Sequence, residues 1–447
     1  MWKVEDVCVV LAAMVFAAWT ATAAMAQTLS APTELELDET KKELERIIAE
    51  DPEEAANARK ALEALTDPSS AGRQFRSKRF GDRGGRRIVN GVPATGYPAV
   101  GALLHGNDPG NANFRCTGTL VGCDKFLTAA HCLFVDLPKN VFDDNPQSYL
   151  VFLQELGFFK VKGIRWPKQE YKPYYASYDL AMLTLERPVE GIAPMPLNMS
   201  TSAKPLNKSI ATIVGFGRTG GKRHDYGIRR IGSARTERCT STWADKAICW
   251  KFDADVKAKG SRSNTCNGDS GGGVFMFDHE GHRRVQKIFG VVSGGTDVDH
   301  CQKNDESYNV DVAEFAAWIE AAGEGRLSSQ QCGSERMNTE ARSTLLTLDG
   351  SRERGIFTLE VPAGTQKLRV AMNGEENDNV SNDFNLFVYR GAQSSNAKPA
   401  CAEAGPGQFG FCDIAAPAPG QWSVVVQRMR GKGKAQITAT LVGSGKP

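Results

Sequence analysis

The sequence predicts an all-β protein preceded by a short helical segment, and three observations carry that expectation. Short runs of β-branched and aromatic residues recur through the chain. Glycine and proline, 45 and 20 among 447 residues, separate those runs. Helical spacing is confined to Asp38–Leu65 and to Val312–Ala321, where Trp318 and Ile319 share an apolar side.

Taken in order, the chain divides into five stretches. Residues 1–26 hold an apolar run, Val7–Trp19, followed by small residues ending Ala24-Met25-Ala26, the pattern of a secretory signal peptide cut after Ala26. Lys3 is offset by Glu5 and Asp6, and about 13 apolar residues are short for a membrane anchor. Residues 27–87 carry helical spacing in Leu44, Ile47 and Ile48, and a helix start at Asp51-Pro52-Glu53-Glu54, so two short helices are predicted. Gly72–Arg87 then brings seven Lys/Arg and four Gly, a segment open to cleavage. Residues 88–325 form one domain, with strands predicted at Thr117–Val121, Tyr149–Leu153, Ala181–Leu185, Ile210–Val214, Val274–Phe277 and Ile288–Val292. A linker, 326–336, leads to a second β domain over 337–447. Its strands are predicted at Ile356–Val361, Leu368–Met372, Asn385–Tyr389, Trp422–Gln427 and Ala435–Leu441. No segment after the signal is long and apolar enough to span a bilayer, and a net charge of +2 gives no sign of a nucleic-acid partner.

Three motifs carry chemistry. Thr265–Gly273 reads T-C-N-G-D-S-G-G-G, where glycines let the backbone turn sharply and expose the serine hydroxyl. Leu127–Cys132 reads L-T-A-A-H-C, and Tyr178–Leu185 reads Y-D-L-A-M-L-T-L. A serine hydroxyl is a weak nucleophile and needs an adjacent base. Histidine suits that role because its pKa lies near 6.5, and a buried aspartate fixes its tautomer. Together the three segments resemble the trypsin/chymotrypsin family of serine endopeptidases. The resemblance implies Ser270 as nucleophile, His131 as general acid and base, Asp179 as orienter, and the N–H groups of Gly268 and Ser270 as the oxyanion hole.

That resemblance implies more. Its fold is two antiparallel six-stranded β-barrels with a C-terminal helix, the triad lying in the cleft between barrels. Ile213–Gly217, I-V-G-F-G, resembles the family segment between the barrels, with Phe216 in place of the usual Trp. Arg86–Gly91, R-R-I-V-N-G, resembles the family's activation site. Cleavage after Arg87 would free the amine of Ile88 to pair with Asp269, which makes 27–87 a pro-segment and the chain a zymogen. The pro-segment is expected to keep the enzyme inert, to assist folding, or to act as a spacer. Ten of the eleven cysteines remain after the signal, an even number suited to an oxidising compartment. The family suggests the pairs Cys116–Cys132, Cys239–Cys249 and Cys266–Cys301; Cys401 and Cys412 are partners by proximity, which leaves Cys123 with Cys332. No C-x-x-C pair with nearby histidines marks a zinc site, and the reaction needs no cofactor.

Specificity is less determined. The family lines its S1 pocket with the residue six before the serine, here Asn264, where trypsins carry aspartate. With Tyr308 as a family tyrosine, the position two before it is Glu306, whose carboxylate could pair a cationic side chain, with Thr265 and Asn264 adding neutral hydrogen bonds. Cleavage after Lys or Arg is the expectation, with chymotrypsin- or elastase-like and acidic preferences as the alternatives. Ser293-Gly294-Gly295 resembles the strand that pairs with the substrate backbone, with Gly294 for Trp, so Ser293 and Gly295 are substrate-binding candidates.

Residues 337–447 resemble the bacterial pre-peptidase C-terminal domain, a small β-sandwich. Asp383–Tyr389 (D-F-N-L-F-V-Y), the Cys401/Cys412 pair and Pro419-Gly420-Gln421-Trp422 carry the likeness. Its acidic loop offers Glu375, Glu376, Asp378 and Asp383, oxygen ligands for a structural Ca²⁺ or a solvated acidic turn. The expected partners are protein or peptide substrates and the chain's own pro-segment. The rival readings are a protease-like binding protein and an adhesion protein acting through the C-terminal domain.

Overall fold

A computed structural model describes residues 88–443, apart from 137–140, 169–177, 202–207, 221–222, 224, 241–245, 253–262, 281–282, 298–300, 334–339, 377–381 and 393–397. The signal peptide, the pro-segment helices and Arg87 lie outside the described residues, as does Asp378.

The two-residue strand β1 (Val92–Pro93) opens the described chain. β2 (Val100–His105), β3 (Asn113–Gly122) and β4 (Lys125–Thr128) follow. After a ribbon of β5 (Phe134–Asp136) and β6 (Val141–Phe142) come β7 (Tyr149–Leu153), β8 (Gly157–Arg165) and β9 (Ala181–Leu185). Six of these close an antiparallel barrel in the order β2-β3-β4-β9-β8-β7. Register shifts at Leu103/Leu104, Leu120/Gly122 and Val161/Gly163 supply the bends that closure requires. Leu103, Phe126, Val151 and Leu183 fill the interior. At Gly118 a Cβ would stand 2.3 Å from the Phe126 ring, so this core phenylalanine rests on a residue that has no side chain.

β10 (Ile210–Gly215), β11 (Arg230–Arg235), β12 (Ala247–Lys251), β13 (Gly273–Glu280), β14 (Arg283–Gly295) and β15 (Glu306–Asp311) join β1 in a seven-stranded sheet ordered β1-β11-β10-β13-β14-β15-β12. One antiparallel bridge, Glu237 to Cys249, ties the chain just after β11 to β12, beside the Cys239–Cys249 disulfide. Ile213, Trp250, Val274 and Phe289 make the core of this part, and Ile88 is buried among them. The closing helix begins as a 3-10 turn, Val312–Phe315, capped by the Asp311 carboxylate, which accepts from Ala313 N at 3.1 Å. It continues as α1 (Ala316–Gly323), with Ile319 buried and Trp318 half-buried.

The C-terminal region is a pair of four-stranded sheets. β16 (Glu340–Leu348), β17 (Arg354–Val361), β18 (Lys367–Gly374), β19 (Asp383–Arg390), β20 (Cys401–Glu403), β21 (Phe409–Ala415), β22 (Gly420–Arg430) and β23 (Gly433–Val442) assemble as β16-β23-β18-β21 and β17-β22-β19-β20. Alternate residues such as Leu368, Val370 and Met372 of β18 and Ile437, Ala439 and Leu441 of β23 turn into the shared core. The indole of Trp422 is buried there and donates to Ala418 O at 2.9 Å.

Candidate active site

The barrel strand β4 ends at Thr128, and a 3-10 turn, Ala130–Leu133, presents His131. The Cys116–Cys132 disulfide anchors that turn to β3. Asp179 stands just before β9, behind Tyr178, whose ring packs edge-on against Phe315 at 4.9 Å. Two atoms of His131 meet its carboxylate: backbone N donates to Oδ1 at 2.9 Å, and ring Nδ1 to Oδ2 at 2.8 Å. Ser293 Oγ donates to the same Oδ2 at 2.5 Å. Burial of Asp179 favours its neutral acid, but the histidine charge and these hydrogen bonds outweigh it and hold the pKa below the usual carboxylate value. Burial opposes a charged His131, yet the charge and hydrogen bond of Asp179 lift its pKa above 6.5. A ring fixed with its Nδ1 proton toward a carboxylate leaves Nε2 as the basic nitrogen.

Ser270 lies in the loop before β13, which the Cys266–Cys301 disulfide fastens. Gly268 has φ +92°, and a Cβ there would meet the Phe114 ring at 2.7 Å and the Tyr226 ring at 2.9 Å. β3 binds both loop carbonyls: Thr117 N donates to Ser270 O at 2.9 Å, and Thr117 Oγ1 to Gly268 O at 2.8 Å. Among the described residues the N–H groups of Gly268 and Ser270 donate no hydrogen bond, and none joins Ser270 Oγ to His131. Thr117 sits inside a strand predicted from the sequence, but nothing there marks it as a brace for the serine loop.

Asp269 is buried beneath this loop. Its Oδ1 accepts from Gly217 N at 2.8 Å and its Oδ2 from Cys266 N at 2.9 Å. Burial pushes its pKa up to about 7, only partly opposed by those two amides and the Arg230 charge.

The predicted pocket residues separate into two groups. Asn264 Nδ2 donates to Asp305 Oδ2 at 2.7 Å, and Asn264 Oδ1 accepts from the Trp250 indole at 2.9 Å. Thr265 Oγ1 and Ser307 Oγ are 2.9 Å apart. Glu306 is not with them. Its carboxylate accepts from Thr240 N at 2.7 Å and from the Thr240 hydroxyl. The carboxylate beside Asn264 belongs instead to Asp305, whose Oδ1 also accepts from Asp297 N at 2.8 Å and Thr296 Oγ1 at 3.2 Å. Side chains alternate along a strand, so 305 and 307 share one face and 306 takes the other. A register shift between Val292 and Gly294 sets the pairs Gly294–Tyr308 and Gly295–Ser307. At Gly295 a Cβ would stand 2.8 Å from Asp305 Oδ1.

As to metals, the ligand atoms of Cys116, His131 and Cys132 lie within 4.8 Å of one another, but both sulfurs are bound in a disulfide, and the group is a strut rather than a ligand set. Glu375 of the acidic loop faces Lys434 N, 2.9 Å from its Oε2, and Arg230, 3.8 Å from its Oε1.

Residues 88–319, half of the chain, match the family described as Trypsin. The chain belongs to the trypsin family. Residues 353–428 match the bacterial pre-peptidase C-terminal domain. Similar proteins include a Trypsin of Saccharopolyspora erythraea, 29% identical over 213 residues that cover 46% of this chain and 86% of that protein. Coagulation factor XII of Sus scrofa is 26% identical over 52% of this chain and 39% of its own length. The Clotting factor G beta subunit of Tachypleus tridentatus is 27% identical over 47% and 71%. A trypsin-family serine protease domain acts on peptide bonds. Among the described residues no helix is long and apolar enough to cross a membrane.

Proposed function

We propose that the protein is a secreted zymogen which, once cut after Arg87, hydrolyses peptide bonds on the carboxyl side of Lys or Arg. The observation that carries this reading is the His131–Asp179 pair beside a serine loop with two undonated amides. Ser270 Oγ attacks the scissile carbonyl carbon while His131 Nε2 takes its proton. The oxyanion forms against the N–H groups of Gly268 and Ser270. His131 then protonates the leaving amine, and water hydrolyses the acyl-enzyme by the same route in reverse. The Asp179 carboxylate stabilises the imidazolium at both steps.

Activation rests on Asp269. The two amides and the Arg230 charge offset burial of this carboxylate only in part, and the Ile88 amine released by cleavage would supply a further cation. Ile88 has φ +41°, a region β-branched residues avoid, and cutting its peptide bond removes that constraint. The pro-segment is read as the part that withholds this amine, and five disulfides together with the leader motif favour an extracellular site. The Glu237–Cys249 bridge supports reading β11-β10-β13-β14-β15-β12 as a second six-stranded barrel.

Asp305 is the carboxylate we assign to a cationic P1 side chain. It already accepts three hydrogen bonds, and a carboxylate has about four acceptor sites, which leaves one for an incoming ammonium or guanidinium. The test uses protein cut after Arg87 and peptides differing only at P1. Hydrolysis after Arg and Lys should vanish in Ser270→Ala, fall on the order of 100-fold in Asp305→Asn and stay near wild type in Glu306→Gln. Preference for Phe or Leu would remove Asp305 from the pocket. A silent panel from folded, cut protein would turn the reading toward a binding protein.

A further inference from the structure

The outward face of the β18–β23 sheet is buried, although an isolated sandwich would leave it wet. Along β23, Ala435, Ile437 and Ala439 point to the sandwich core, so Gln436 and Thr438 point away from it, yet both are about 1% exposed. The catalytic domain covers them. Gln436 Oε1 accepts from Arg229 N at 3.1 Å, and its Nε2 donates to Ala94 O at 3.1 Å. On β18, Asn373 Nδ2 donates to Gly227 O at 2.7 Å, and after that strand Glu376 N donates to Tyr226 O at 3.0 Å. At Gly227 (φ +96°) a Cβ would lie 2.2 Å from Gly374 O, so the two backbones touch without room for a side chain. Buried polar groups paired this closely across two domains are the mark of a permanent interface rather than a tethered accessory.

The segment so held leads directly to the catalytic loop. Gly227 N donates to Phe216 O at 2.8 Å. Arg230 donates to Gly217 O at 3.2 Å, and Gly217 N in turn donates to Asp269 Oδ1 at 2.8 Å. Arg218 N donates to Asn267 O at 2.9 Å, and the Tyr226 ring closes against Gly268. We propose that the C-terminal sandwich is a positioning clamp for residues 216–218 and 226–230, and that through them it holds Gly268 and Asp269 in the catalytically competent arrangement. The proposal rests on Ser270 being the nucleophile of a working protease.

The test compares full-length, activated wild type with the double variant Asn373→Ala/Gln436→Ala, and with Gln154→Ala as control. Gln154 binds the same sandwich at Thr438 Oγ1, 2.7 Å away, but from the first barrel. On a short peptide that cannot reach beyond the S1 pocket, the double variant should lose about tenfold in kcat, with KM moving less than about threefold, and hydrogen exchange over 225–230 should quicken. Gln154→Ala should keep the wild-type kcat. If the double variant does not fold, Glu375→Gln, which removes the charge facing Arg230 and keeps an oxygen for Lys434 N, carries the same test. Unchanged kcat alongside quickened exchange would overturn the clamp while leaving the protease standing. A silent wild type would overturn both.

Discussion

At the scale of single residues, the charge relation between His131 and Asp179 sets the working pH. On the proposed mechanism His131 must be neutral to take a proton from Ser270, and its pKa lies above 6.5 because the Asp179 charge and hydrogen bond outweigh burial. The acidic limb of kcat/KM is therefore expected to titrate above pH 6.5, and a pH–rate profile checks it. Asp179→Asn keeps the shape of the site but presents an amide to Nδ1, and should lower kcat by about four orders of magnitude. The pairing of His131 with Asp179 was legible in the sequence because both residues sit in short fixed motifs. Asp305 was not, because counting back from Tyr308 names a position but not the strand face it takes. A one-residue offset exchanges the two faces, and the shift at Val292/Gly294 that fixes the pairing leaves no signature in composition.

Among elements, the turn between β7 and β8 carries a buried charge. Glu155 in that turn meets the Arg229 guanidinium at both of its terminal nitrogens, and both side chains are almost wholly buried. Arg229 also donates to Tyr97 O at 3.2 Å. Glu155→Gln leaves a buried cation uncompensated and should cost about 3–5 kcal/mol of stability, read from chemical denaturation. Phe126→Ala empties the barrel around Gly118 and should cost a similar amount, about 3–5 kcal/mol. Strands with strong apolar runs, such as Tyr149–Leu153 and Ala181–Leu185, were visible in the sequence. β16, β20 and β21 were not, since Glu340–Leu348 alternates weakly, Cys401–Glu403 is three residues long, and Phe409–Ala415 follows a glycine-rich stretch. Nor does local sequence say that Gln436 and Asn373 face another domain, because polar residues on alternate positions ordinarily mean water.

For the whole molecule, burial of Asp269 ties the proposed activation to stability. Its carboxyl pKa is about 7 in the folded uncut chain against an ordinary 3.8, so folded protein keeps the proton longer than unfolded protein. Stability from this group is full below pH 3.8 and is lost as pH rises through 7. Uncut Ser270→Ala protein should therefore show a lower unfolding temperature at pH 8 than at pH 5. Cutting after Arg87 should shrink that difference, with His131 contributing equally before and after. The Cys123–Cys332 disulfide spans 209 residues of sequence, and His131, Asp179 and Ser270 all fall between its ends. A protease meets its own kind at every collision, and exposed loops inside that span are open to attack. A single internal cut there yields fragments that stay covalently joined, visible as one band on a non-reducing gel and two after reduction. The broken ends remain at high effective concentration, so the enzyme can survive its own nicking.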